Sequence, residues 1–136
     1  MLLKLLTRRK SFPFDFSQGL VVVETTIEGP TGSYEALLAV DTGASGTLLS
    51  AAILQIIGYD LSAATDFVEM TTGSGVERVP RLPVAKLISL GQERADFPVV
   101  AHTLPPPAIV DGLLGLDFFR LQILTLNFRK GEILLR

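Results

Sequence analysis

Asp41-Thr42-Gly43-Ala44-Ser45 sets a carboxylate, two hydroxyls and a glycine at the end of an apolar run, Tyr34–Val40 (YEALLAV). Few other residues could do chemistry. The chain has no cysteine and one histidine in 136 residues. That excludes disulfides, a cysteine nucleophile, thiolate metal sites and a zinc site built on two histidines of one chain. A serine–histidine pair would have to use His102. That residue precedes Leu104-Pro105-Pro106-Pro107 and reads as a surface or loop histidine. What remains is the carboxylate. By local chemistry alone, Asp41 caps its own backbone in a turn and Gly43 supplies a positive φ.

The length and composition bound the setting of that turn. A chain of 136 residues and 14.7 kDa suits one domain with a real core. Twelve basic against fourteen acidic residues leave no basic excess, so a nucleic-acid partner is not expected. Hydrophobic residues make up 48% and charged residues 19%, which favours a folded domain with apolar surface to hide. No metal or cofactor is expected.

Two stretches imitate membrane or targeting segments. In Met1–Lys10 (MLLKLLTRRK) the apolar residues precede the basic ones, the reverse of a signal peptide, and no small-residue cleavage site follows. It reads as a tail, with a cytoplasmic location and no membrane partner expected. Ala36–Gly58 is long enough to span a bilayer and carries one charge, Asp41. Its centre, Asp41–Thr47, is turn chemistry that would split a spanning helix. The segment reads as strand, turn and short helix.

The elements around the turn are short. Leu20–Ile27 is β-branched and reads as a strand, with Glu28–Ser33 turning into Tyr34–Val40. That second strand becomes continuously apolar and so predicts burial on both faces. Ser50 predicts an N-cap for Ala51–Ile57, with Gly58 as the stop. Phe67–Met70 and Val76–Val79 flank a small tip, Gly73-Ser74-Gly75. Pro80 and Pro83 punctuate the chain. Val84–Leu90 and Ala95–Ala101 form another hairpin by pattern. Asp117–Leu121 predicts a short helix capped by Asp117, and Gln122–Phe128 with Glu132–Arg136 a closing hairpin. Many short strands with two small helices predict an all-β domain. There is a weak echo: Leu38–Gly43 and Ile109–Gly115 both run apolar approach, glycine, helix.

These residues carry a resemblance. An apolar strand, Asp41-Thr42-Gly43-Ala44-Ser45 and a helix look like the active-site turn of aspartic proteases. Leu113-Leu114-Gly115 before a helix resembles that superfamily's second signature. The glycine-rich hairpin between them stands where the family places its flap. Asp111–Arg136 is similar to the C-terminal part of retropepsin-like proteases, especially bacterial single-domain members and the protease-like domain of the DNA-damage-inducible type. Asp-Thr-Gly alone arises by chance in roughly 3% of chains this long, so the ordered constellation carries the resemblance. It covers residues 20–136, and residues 1–19 stand as an N-terminal extension.

The resemblance implies a retropepsin-like closed β-barrel or sandwich, a single lobe that pairs as a homodimer. It implies an aspartic endopeptidase in which one carboxylate takes a proton from water while the other, protonated, hydrogen-bonds the carbonyl oxygen. Aspartic proteases are the standing example of two close carboxylates sharing a proton. This chain has one Asp-Thr-Gly. Asp111-Gly112 lacks the threonine, so Asp41 must meet Asp41 of a second copy. The implied roles are Asp41 as acid/base, Thr42 bonding across the axis and Gly43 offering its N–H to the carboxylates. Ala44, Ser45, Gly73, Ser74 and Gly75 would meet a peptide substrate. Without the resemblance, Thr42 reads as an ordinary buried hydroxyl and the hairpin tip as a bland exposed turn. Retroviral members typically follow Asp-Thr-Gly-Ala with an acidic residue and the second glycine with arginine. Ser45 and Leu116 stand there, and both partners of that pair are missing together. The alternative function is a catalytically weak module of the same fold that binds peptides or dimerises.

Overall fold

The computed structural model describes residues 11–16, 19–104 and 108–136. The expectations for Met1–Lys10 and for Pro105–Pro107 fall outside them. The strands are β1 (Ser11–Pro13), β2 (Val22–Gly29), β3 (Gly32–Val40), β4 (Leu48–Ser50) and β5 (Phe67–Thr72). They continue with β6 (Gly75–Ser89), β7 (Gln92–His102), β8 (Gly112–Leu114), β9 (Leu124–Asn127) and β10 (Glu132–Leu135). Two helices, α1 (Ala51–Ile56) and α2 (Leu116–Phe119), and a 3-10 turn, Leu61–Ala63, complete the described elements.

Strand order β2-β3-β8-β4-β7-β6 closes on itself through β2–β6 pairing. The result is the all-β domain with two short helices that the sequence predicts, closed into the barrel that the resemblance implies. Period-two alternation in β2 turns Val23, Thr25 and Ile27 inward, where they meet Ala36 and Leu38 of β3. Phe118, Leu49, Leu54, Leu87, Leu114 and Ile133 are also fully buried in this core. At the closure seam Thr25 lies opposite Ser89. The Thr25 hydroxyl donates to Ser89 Oγ at 2.9 Å, and Ser89 donates on to the Glu24 carbonyl at 3.2 Å. Thr25→Val removes one of these bonds from a buried seam. The expected cost is about 1 kcal/mol, read as a Tm lower by about 2–6 °C.

Several expectations are corrected. β3 is buried on both faces only near its end, where Leu38 and Ala39 are both buried; Leu37, on the same face as Ala39, is 45% exposed. Pro80 and Pro83 do not punctuate the chain; both lie inside β6. Pro83 faces Pro98 on β7, so neither is asked for an N–H across that pair. β5 reaches only to Pro80 and β4 only to Val100, so no ladder on the outer sides needs those donors either. Ser50 stands at the N-cap of α1, but its side chain makes no capping bond. Its N–H is bound by the Asp111 carbonyl at 2.9 Å instead.

The N-terminal segment contributes structure before residue 20. Ser11–Pro13 pairs with β10 in a separate three-stranded sheet, β1-β10-β9. Among the described residues no helix is long and apolar enough to cross a membrane. The span Ala36–Gly58 resolves into β3, a turn, β4 and α1.

Candidate active site

The two echoing segments become neighbours. β3 and β8 run parallel, with Leu38, Ala39 and Val40 against Gly112, Leu113 and Leu114. Each strand then delivers its glycine turn to the same place. The Asp41 N–H donates to the Leu114 carbonyl at 3.0 Å, and the Leu116 N–H to the Ala44 carbonyl at 2.9 Å. The two turns are thereby laced together by main-chain bonds.

Close approach explains the second glycine. A Cβ on Gly115 would stand 2.6 Å from the Gly46 carbonyl group, and one on Gly112 would strike the Leu48 carbonyl. Gly43 lacks the positive φ read from its local sequence but offers its N–H to a carboxylate, as the resemblance implies. Its N–H donates to Asp41 Oδ1 at 2.8 Å, and an added Cβ would lie 3.1 Å from that oxygen. Gly43 thus lets the backbone approach the carboxylate, and the bond fixes which way Asp41 faces.

Asp117 is not the cap of α2; Gly115 holds that position. The carboxylate reaches across to Thr47 instead. It accepts from the Thr47 hydroxyl at 2.7 Å and from its N–H at 3.1 Å. The same hydroxyl accepts from the Gly115 N–H at 3.2 Å. Thr47 is 1% exposed, so these groups have no water to fall back on. Asp111 is also structural. Its Oδ2 accepts from the Leu37 N–H at 2.8 Å, which ties it to β3 rather than to the Asp41 turn.

A cleft of about 820 Å³ adjoins the turn, bordered by Gly43, Ala44, Ser45, Gly46 and Leu48 on one side. Val68 and Met70 of β5, Val100 and Leu113 give it an apolar wall, and Arg81 and Arg120 bring positive charge. Gly43 therefore touches both the Asp41 carboxylate and the cleft. Arg81 is held by Asp66 at 2.8 Å. A larger groove, about 1120 Å³, runs past Phe14, Val22 and Leu37 and shares no lining residue with this cleft; Asp41 itself lines neither.

The hairpin β5–β6 rises beside this cleft as far as Thr71. Its tip, Gly73-Ser74-Gly75, is exposed and does not line it. There the Ser74 hydroxyl lies 3.1 Å from that of Thr72, which donates to the Gly75 carbonyl at 3.1 Å. Gly75 has φ 125°, which favours glycine. Thr42 is exposed, not the buried hydroxyl that its local sequence suggests. His102 is the last residue of β7 rather than a loop residue, and its Nδ1 lies 3.8 Å from Glu77 Oε2. The cleft residues of β5, β6 and β7 were not singled out in the sequence. Their alternation was visible, but nothing local says which face looks onto Asp41.

Comparison with known proteins agrees with this geometry. The family model "gag-polyprotein putative aspartyl protease" matches residues 23–121. Among solved structures, a retropepsin-like aspartic protease from Rickettsia conorii is similar with a TM-score of 0.69 and 17% identity. The match covers 92% of this chain and 87% of that one. At that identity the likeness concerns the fold. No curated protein matches.

Proposed function

The chain belongs to the gag-polyprotein aspartyl protease family, and on that premise we propose that it is an aspartic endopeptidase active as a homodimer. One observation carries the reading. Each chain holds a single Asp-Thr-Gly carboxylate, oriented by the Gly43 N–H at 2.8 Å beside an apolar cleft. The chemistry needs two such carboxylates. Asp111 is committed to β3 and Asp117 to Thr47. A second copy of Asp41 across a two-fold axis supplies the missing group.

In this mechanism a water lies between the two Asp41 carboxyl groups. The ionised one takes a proton from the water as its oxygen adds to the peptide carbonyl carbon. The protonated one hydrogen-bonds the carbonyl oxygen as negative charge develops there. Proton transfer to the leaving nitrogen then accompanies breakage of the C–N bond, and the pair returns to one shared proton. No covalent enzyme intermediate forms. Thr42, exposed beside the axis, would bond its counterpart. The β5–β6 hairpin would act as a flap, covering an extended peptide and excluding water. Ala44 and Ser45 would line the substrate's path, with the tip Gly73-Ser74-Gly75 descending on closure.

The reading is tested by dilution. Specific activity on a denatured protein substrate falls as enzyme concentration drops through the dimer dissociation constant. Sedimentation over the same range shows the monomer appearing in step. Full specific activity in a sample that sediments as monomer would sink the two-chain site.

A further inference from the structure

We propose that Glu77 and His102 are positioning residues that latch the β5–β6 hairpin to the barrel in its place beside the cleft, and that the latch holds only while His102 is protonated. The inference rests on the protease reading above.

β6 pairs with β7 from Ser89 back to Arg81, which lies opposite Val100. Beyond Arg81 the ladder to β7 ends, and Gly75–Pro80 continues as half of the hairpin, paired with β5. The outer hairpin therefore has no main-chain ladder to β7. Extending the Arg81–Val100 register brings Glu77 to the same face as Val100 and His102. Glu77 also lies directly opposite Met70, a cleft residue. The 3.8 Å approach of Glu77 Oε2 to His102 Nδ1 thus bridges hairpin and barrel where the backbone does not. At the hairpin base Arg81 and Asp66, 2.8 Å apart, form a second tie that does not depend on an imidazole.

The charges around His102 leave Glu77 as its partner. Arg81, on the same face of β6, is held by Asp66. Glu69, which also lines the cleft, lies opposite Arg78 in the hairpin ladder, and the Arg78 guanidinium stacks 4.3 Å from the Phe67 ring. β4 brings Ser50 opposite His102, a neutral residue. Asp111, whose carbonyl binds the Ser50 N–H, directs its carboxylate to Leu37. The His102 side chain is 21% exposed and that of Glu77 47%, so the pair is partly screened and serves to bias a moving hairpin rather than to lock it.

The sign follows from the charges. The hairpin in this position gains the pair when the imidazole is positive and the carboxylate negative. Imidazoles ordinarily lose their charge between about pH 5 and 8. The latch is therefore present at mildly acid pH and released as pH rises. It is also released when pH falls below about 4 and carboxylates protonate.

His102 is the one histidine of the chain, so its NMR titration in the untagged protein is read without assignment. Glu77→Gln lowers the imidazole protonation constant by about two- to five-fold, the scale of a partly exposed pair. Glu77→Asp, which keeps the charge, restores much of it. An unchanged midpoint in Glu77→Gln overturns the latch, whether or not the protein cleaves peptides. In peptide cleavage, wild-type KM rises about two- to five-fold across the imidazole range, over and above the pH dependence that the Asp41 pair gives every variant. That rise is absent from His102→Gln and Glu77→Gln. A wild-type KM profile in His102→Gln also overturns the latch. If no peptide is cleaved by any variant, the protease reading fails and the titration alone decides.

Discussion

Asp41→Asn abolishes hydrolysis of a denatured protein mixture and leaves the fold intact. The expected loss is at least about 10²–10⁴-fold, the usual contribution of a positioned acid/base group. In a homodimer the one substitution removes both members of the pair. Stability is spared for a local reason. The structural work of Asp41 is done by Oδ1, which accepts the Gly43 N–H at 2.8 Å, and by its main chain, bound to Leu114 and Ala44. Asparagine keeps an Oδ1 acceptor and the same main chain. The measurement is product release across about pH 3 to 7, the range in which carboxylates and imidazoles titrate, with circular dichroism as the fold control. Identical product patterns from wild type and variant would end the enzyme reading. Mixing sharpens the result. With equal amounts of the two chains, random pairing leaves about a quarter of the wild-type activity if the site needs both subunits. About one half would mean that each chain carries a complete site.

Asp117→Ala produces the other large effect, on stability and through it on the site. The carboxylate accepts two bonds from Thr47, one from the hydroxyl and one from the N–H. Thr47 is buried, so its N–H is stranded by the change while its hydroxyl keeps only the bond from Gly115. Leaving buried partners of a charged group unsatisfied costs about 2–4 kcal/mol. For a chain of this size that is a fall of roughly 8–15 °C in Tm. Asp117→Asn keeps an acceptor and stays within about 1 kcal/mol of wild type. A melting curve of Asp117→Ala that overlays wild type would show that this bridge does not hold the two turns. The activity readout is linked, because Thr47 and Asp117 both border the cleft.

Much of the site was legible because its parts are local. Asp41 capping its neighbour, the glycine beside it and the apolar strand before it all lie within ten residues of sequence. The second signature was legible in the same way. Misreadings arose where a residue's partner is distant. Asp117 has the sequence context of a helix cap, and its hydrogen bonds go to Thr47, seventy positions away. Thr42 has the look of a buried hydroxyl, and burial depends on what else packs there. β4 is three residues long, too short for any periodicity. It is a strand because β7 and β8 offer it ladder partners on both sides. Pro80 and Pro83 suggest breaks, and their tolerance inside β6 depends on which neighbours end before reaching them.

The opposite case is His102. Its type and the lack of other histidines in the chain are sequence facts, but its contact with Glu77 is made where the β5–β6 hairpin passes the end of β7. By itself, the sequence determined the all-β class and singled out one Asp-Thr-Gly turn, from which the two-chain proposal starts. Those depend on residue types, on alternation and on a count, which are local or arithmetic properties. The tertiary structure alone decided that Asp111 and Asp117 brace the scaffold and that Gly43 orients Asp41. It also decided which faces of β5, β6 and β7 look toward the cleft. Those are pairings across tens of residues, and they exist only once the barrel has closed and brought the two glycine turns side by side.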